Sequence, residues 1–171
     1  MLASVTKNAD LWAAVWRRAG VGEEYLHRVA AIPGHWHLLV LSEDWCGDAV
    51  NTVPVVAKLA ALSPNLELRV LARDENLDLM DAHLTGTSRS IPIVILLDAE
   101  YRERDWWGPR PTALQDSVSG EWKVLEKSSR YREARMWYAR DRGRTTLEEV
   151  VSMLERASRN GSAESVAESP A

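Results

Sequence analysis

The chain has 171 residues, a mass of 19.2 kDa, 46% hydrophobic and 27% charged residues, the balance of one globular domain, which excludes both a disordered chain and a multidomain machine. Its 21 basic and 25 acidic residues leave a formal charge of -4, the wrong sign for a general nucleic-acid binder that draws its affinity from neutralising phosphates. No apolar run approaches the roughly 18 residues of a membrane span, the first residues lack a charged-then-apolar leader pattern, and a single cysteine, Cys46, excludes an internal disulfide or a multi-cysteine metal centre; a soluble, cytoplasmic protein is expected.

Taken in order, Leu11, Trp12, Val15, Trp16 and Ala19 recur at helical spacing after Asp10, which predicts an opening helix capped by that aspartate and broken near Gly20-Val21-Gly22. A short helix from Glu23 to Ala30 follows, and Pro33-Gly34 turns the chain into the apolar run Trp36–Leu41. That run does not alternate, as expected of a central strand covered on both faces. Residues 47–62 read as a helix with Val53, Val56 and Ala60 on one stripe and Val55, Leu59 and Leu62 beside it, kinked at Pro54. Leu66–Ala72 is the next strand, Glu75–Leu84 a short helix, and Ile91–Leu97 a third strand. Tyr101–Trp107 follows too closely for a parallel crossover and should pair antiparallel with the strand before it, which makes a mixed four-stranded sheet. From Thr112 onward the chain reads as helices, the last opening at Thr145-Thr146 with Glu148 and Glu149 completing a capping box, and with Leu147, Val150, Val151 and Leu154 turned inward. The tail from Ser158 is small and polar and is expected to be disordered. The domain reading is one unit over 1–157, with a helical segment 1–31, a core 35–107, C-terminal helices 112–157 and a tail 158–171.

Chemistry concentrates where the first strand gives way to a helix, at Trp45-Cys46-Gly47-Asp48-Ala49. A cysteine there sits at a helix N-terminus, whose unpaired amides favour a thiolate. This Trp-Cys-Gly, the proline eight residues beyond the cysteine at Pro54, and the Ile91-Pro92 pair before the third strand together resemble the thioredoxin superfamily. The resemblance implies an α/β, thioredoxin-like three-layer sandwich with an N-terminal helical extension and additional C-terminal helices. It implies that Cys46 is the catalytic nucleophile on disulfides, that Trp45 shields the sulfur, that Pro92 is cis and faces it, and that Gly47, Asp48 and the backbone of Ile91 complete a substrate-binding surface.

Two departures shape the expected activity. Ala49 stands where a dithiol member carries its resolving cysteine, so a mixed disulfide on Cys46 has to be released by an external thiol. Glu43, Asp44 and Asp48 flank Cys46 and oppose its ionisation, which predicts a less activated thiol. Val40 occupies the position six before the cysteine where many thioredoxins bury a proton-transferring acid. The expected function is therefore an enzyme, a monothiol thiol–disulfide oxidoreductase, with a protein or small-molecule thiol or disulfide as substrate. It needs no cofactor beyond a low-molecular-weight thiol as co-substrate, and neither membrane nor nucleic acid is a partner. The alternative is a redox-inactive thioredoxin-fold protein-binding module.

Other features carry less. His35 and His37 share one face of the first strand, as two metal ligands would, but the sequence offers no convincing third ligand and no metal site is assigned. Arg89 could meet a small thiol's carboxylate, although a lone loop arginine is ordinarily solvated. Of Trp106 and Trp107 one should be core and the other exposed, because neighbours on a strand face opposite ways. Arg130 to Arg144 holds six arginines with Tyr131, Trp137 and Tyr138 interleaved, read as a helix with an arginine-rich solvent face.

Overall fold

A computed structural model describes residues 5–167. The sheet has the order β2-β1-β3-β4, built from β1 (Trp36–Ser42), β2 (Leu66–Ala72), β3 (Ile93–Leu97) and β4 (Glu103–Trp107). β1 and β2 are parallel, with Trp36 opposite Leu66 and His37 opposite Glu67, whereas β3 is antiparallel to both β1 and β4. The mixed sheet and the β3–β4 pairing match the sequence reading.

Among the described residues seven α-helices surround the sheet: α1 (Ala9–Arg18), α2 (Glu23–Ala30), α3 (Gly47–Leu62), α4 (Leu77–Asp81), α5 (Thr112–Ser119), α6 (Lys127–Asp141) and α7 (Arg144–Ala167). One sheet face presents Trp36, Leu38, Val40, Val94 and Leu96, packed with Trp12, Val50, Val53, Val56 and Leu59 and with Leu147, Val150, Val151 and Leu154 of α7. The opposite face presents Leu41, Ile93 and Ile95 under Met80 of α4 and Ile91. The central strands β1 and β3 thus bury side chains on both faces, and three layers result. No helix among the described residues is long and apolar enough to cross a membrane.

Several expectations are corrected. The N-cap of α1 is Asn8, in the left-handed region at φ 56°, and Asp10 lies in the first turn; asparagine tolerates that conformation, and its Nδ2 donates to the carbonyl of Asp44 at 3.2 Å. α3 runs as one helix through Pro54, with Leu62 50% exposed rather than inside. α4 is shorter than expected: Arg73–Glu75 is a 3-10 turn, Asn76 interrupts the helical backbone, and the buried ring of His83 meets the carbonyl of Leu79 at 2.8 Å. β3 begins at Ile93, not Ile91.

At the start of α7 there is no threonine capping box. The Asp141 carboxylate accepts the backbone N–H of Thr145 at 3.2 Å and its hydroxyl at 2.5 Å. Glu148 and Glu149 are engaged elsewhere: Glu148 pairs with Arg28 at 2.7 Å, and Glu149 accepts from the indole of Trp107 at 2.7 Å and the amide of Thr112 at 2.8 Å. α7 also continues to Ala167, through most of the segment assigned to a disordered tail; a formed helix adds alanine, serine and glutamate at little cost per residue. Residues 168–171 of that tail lie outside the described residues.

The β3–β4 turn is held by one carboxylate. Asp98 accepts from the amides of Glu100 and Arg102 at 3.0 and 2.9 Å and from the guanidinium Nε of Arg102 and of Arg104 at 3.0 and 2.8 Å. Burial alone would raise its pKa, but the Arg102 amide and the two guanidinium groups win and hold it at about 2. Asp98→Ala is expected to lose about 2 kcal/mol, since it removes the charged acceptor of the four hydrogen bonds that close the turn. Because the folded pKa is depressed, this contribution is full above the unfolded value of about 3.9 and disappears as pH falls through about 2. Denaturant melts of the two proteins should therefore differ near neutral pH and converge in strong acid.

Candidate functional site

Cys46 is the N-cap of α3, with extended φ −80° and ψ 121°, so the helix's first amides approach its sulfur. It is partly buried, and its thiol donates to the carbonyl of Ile91 at 3.3 Å. The Ile91–Pro92 bond is cis, as the sequence motif implies. In the resting thiol form the Ile91 carbonyl thus carries the Cys46 hydrogen bond on one of its two acceptor sites. Ala49 is fully buried and Val40 is packed in the core, so no second thiol and no buried acid stand at those positions.

The sulfur opens onto a cavity of about 460 Å³. Trp45, Cys46, Gly47, Asp48 and Ile91 all line it, whereas Pro92 does not: it is buried, with its carbonyl oxygen close to Gly108. Trp45 is 44% exposed and lies under the guanidinium of Arg73, 5.3 Å from its ring centre. Arg89 also lines the cavity, but its guanidinium forms two 2.6 Å bonds to Asp81 and is not a free solvated cation.

The far wall comes from elements that nothing in the sequence connects with Cys46. Arg110, Tyr131, Arg135 and Tyr138 line it, carried by the loop after β4 and by α6. Asp48 joins the two walls: one oxygen accepts from the Tyr138 hydroxyl at 2.9 Å, the other pairs with Arg110 at 2.6 Å. Burial, then the charge of Asp48, pushes the Tyr138 phenol far above its ordinary range. The phenol is a fixed neutral donor.

The electrostatics around Cys46 differ from the sequence expectation in cause but not in direction. Burial is the largest influence and raises the thiol pKa; the Ala49 amide lowers it, Asp48 raises it, and the Asp48 amide and Arg110 lower it. The other two acids are occupied elsewhere. Asp44 accepts from the amides of Lys7 and Thr6 at 2.7 and 2.9 Å, which hold it below its ordinary range, and Glu43 accepts from the amide of Asp74 at 2.9 Å. Asp44 thereby ties the N-terminal segment to the loop that carries Trp45.

Trp107 is 8% exposed and Trp106 36%, the expected division of core from surface. α6 is the arginine-rich helix, yet Tyr131 and Tyr138 serve the cavity rather than a separate surface. Remote from Cys46, at the start of β1, Glu67 supplies the third ligand group that the sequence left missing beside His35 and His37.

A family model described as Thioredoxin matches residues 1–129. The chain is similar in structure to a protein of unknown function from Pseudomonas aeruginosa, with a TM-score of 0.72 at 21% identity over 91% of this chain and 89% of that one. It is also similar to an HIV epitope-scaffold, with a TM-score of 0.69 at 22% identity over 90% and 87% of the two chains. At these identities the likeness is one of fold. No curated protein matches.

Proposed function

The chain belongs to the thioredoxin family, and from that premise we propose that it is a monothiol thiol–disulfide oxidoreductase acting through Cys46. One observation carries the reading: the only thiol stands at a helix N-terminus and opens onto a cavity with room for a small thiol or a cysteine side chain. The Cys46 thiolate attacks one sulfur of a substrate disulfide, forms a mixed disulfide and expels the other sulfur as a thiolate. An external thiolate then attacks the mixed disulfide, releasing Cys46 and leaving with the substrate sulfur. A second external thiolate then attacks that external mixed disulfide and frees the substrate sulfur, so that two external thiols are oxidised to a disulfide, two electrons reach the substrate, and the protein returns unchanged. Such a cycle belongs in a reducing compartment rich in small thiols, which makes the cytoplasm its setting. Trp45, Gly47, Asp48 and Ile91 border the reacting sulfur as the binding surface, and the cis bond to Pro92 sets the backbone at Ile91.

The test is intact-mass spectrometry after incubation with a small symmetrical disulfide. One adduct per chain, removed by added thiol and absent in Cys46→Ser, is the expected result; a chain that never takes up an adduct under native conditions refutes the cycle. The burial that raises the thiol pKa favours a second reading, a redox-inactive thioredoxin-fold protein-binding module that uses the same cavity without sulfur chemistry.

A further inference from the structure

We propose that His35, His37 and Glu67 form a binding site for one divalent transition-metal cation of the zinc class, separate from the thiol. His35 and His37 lie two residues apart and share a side of the chain, and the parallel register places Glu67 of β2 directly beside His37 of β1. One ligand atom from each residue lies within 4.8 Å of the other two, and His37 Nδ1 is 3.4 Å from Glu67 Oε2. Ligands at zinc–nitrogen and zinc–oxygen distances stand about 3.3 Å apart around a tetrahedral ion. The histidine–glutamate pair is at that spacing already, and the exposed side chain of His35 has the freedom to close the rest.

The surroundings orient these groups without filling the space between them. The other Glu67 oxygen is held by Arg69 at 2.5 Å, which leaves Oε2 turned to His37. The His37 ring, 13% exposed, is stacked on Tyr101 with centroids 4.4 Å apart and planes 18° from parallel. Tyr101 holds this position from a left-handed backbone, φ 60°, in the turn that Asp98 fixes. An oriented first ligand backed by a partner to its carboxylate neighbour is the arrangement of a metal site's outer contacts.

The position in the fold keeps this corner open. α4 is short and covers the sheet face near Cys46, so the His37 end of that face has no helix over it. Two imidazoles and a carboxylate suit zinc, copper(II) or nickel(II), whereas calcium and magnesium favour oxygen ligands alone. Three protein ligands on an open corner leave a fourth position to water or a solute.

The experiment is a calorimetric titration with zinc chloride of the full chain, prepared without a histidine tag, in the wild-type and Cys46→Ser forms. Both should bind one zinc per chain. His35→Ala and Glu67→Gln, each made on the Cys46→Ser background, should weaken binding at least about tenfold. Cobalt(II) at the same site should give visible absorption that disappears in the same variants. Binding lost with Cys46→Ser, binding indifferent to both His35→Ala and Glu67→Gln, or no saturable uptake would each overturn the site. None of these outcomes bears on thiol exchange, which the mass measurement decides separately.

Discussion

Iodoacetamide is expected to label Cys46 slowly at neutral pH, with a rate that climbs about tenfold per pH unit and a midpoint above the ordinary thiol value of about 8.5. Burial sets this direction, and the helix amides and Arg110 only partly offset it. The thiol is then mostly protonated at pH 7, unlike thiols activated below that pH. Asp48→Asn removes a charge that disfavours the thiolate, so its labelling should be severalfold faster at pH 7; Arg110→Ala should move the rate the other way. Because the folded pKa is raised, the protonated thiol contributes stability that is full below the unfolded value and lost as pH climbs through the folded one. Alkaline melts should therefore fall less steeply for Cys46→Ser than for wild type. The same thiolate fraction governs attack on a disulfide, so adduct formation should follow the labelling profile. A midpoint below about 7.5 would show instead that the helix terminus dominates, and would remove the support for the binding-module reading.

Gly108→Ala should cost about 3 kcal/mol or more, the scale of a forced backbone clash added to an unfavourable conformation. An added Cβ would lie 2.2 Å from the carbonyl oxygen of Pro92 and 3.2 Å from the Cα of Ile93, at φ 138° where an L side chain is strained. Neither backbone group can swing aside as a flexible side chain would. For a chain of this length that predicts a melting temperature lower by about 6–12 °C, measured by circular dichroism. Gly20→Ala, where nothing lies within 4 Å, should change stability by less than about 0.5 kcal/mol. The glycine matters to the cavity as well. It leads through Pro109 into Arg110, so the approach of β4 to the Ile91-Pro92 loop sets where Arg110 meets Asp48. A Gly108→Ala protein as stable as wild type would show that this approach is dispensable.

What the sequence makes legible follows from the range of the forces involved. The apolar run of β1 and the alternating Leu66, Leu68 and Val70 of β2 mark those strands nearly residue for residue, and the stripe in 47–62 marks α3, because burial imposes its period locally. Cys46, Trp45 and Asp48 are legible for the same reason: the strand-to-helix turn places them. The partners of Asp48 are not, since Tyr138 is 90 residues away and its helix shows no apolar stripe to reveal a packed side. Glu67 was likewise hidden. It becomes a neighbour of His37 only through the register of two strands, which periodicity does not encode. The extent of α7 is not legible in composition, which measures what a segment can bury but not whether an existing helix will extend through it.

The inward row of α7, Leu147, Val150, Val151 and Leu154, has a consequence for the order in which the molecule is made. Of the described elements it leaves the ribosome last, yet it closes the sheet face formed by Leu38, Val40, Val94 and Leu96. Until its final turns clear the exit tunnel, that face has only the earlier helices over it, and the contacts that complete the core span more than a hundred residues. Completion of this fold therefore waits for the synthesis of α7, and a nascent chain stalled before Arg144 offers chaperones an apolar sheet with one of its covers missing.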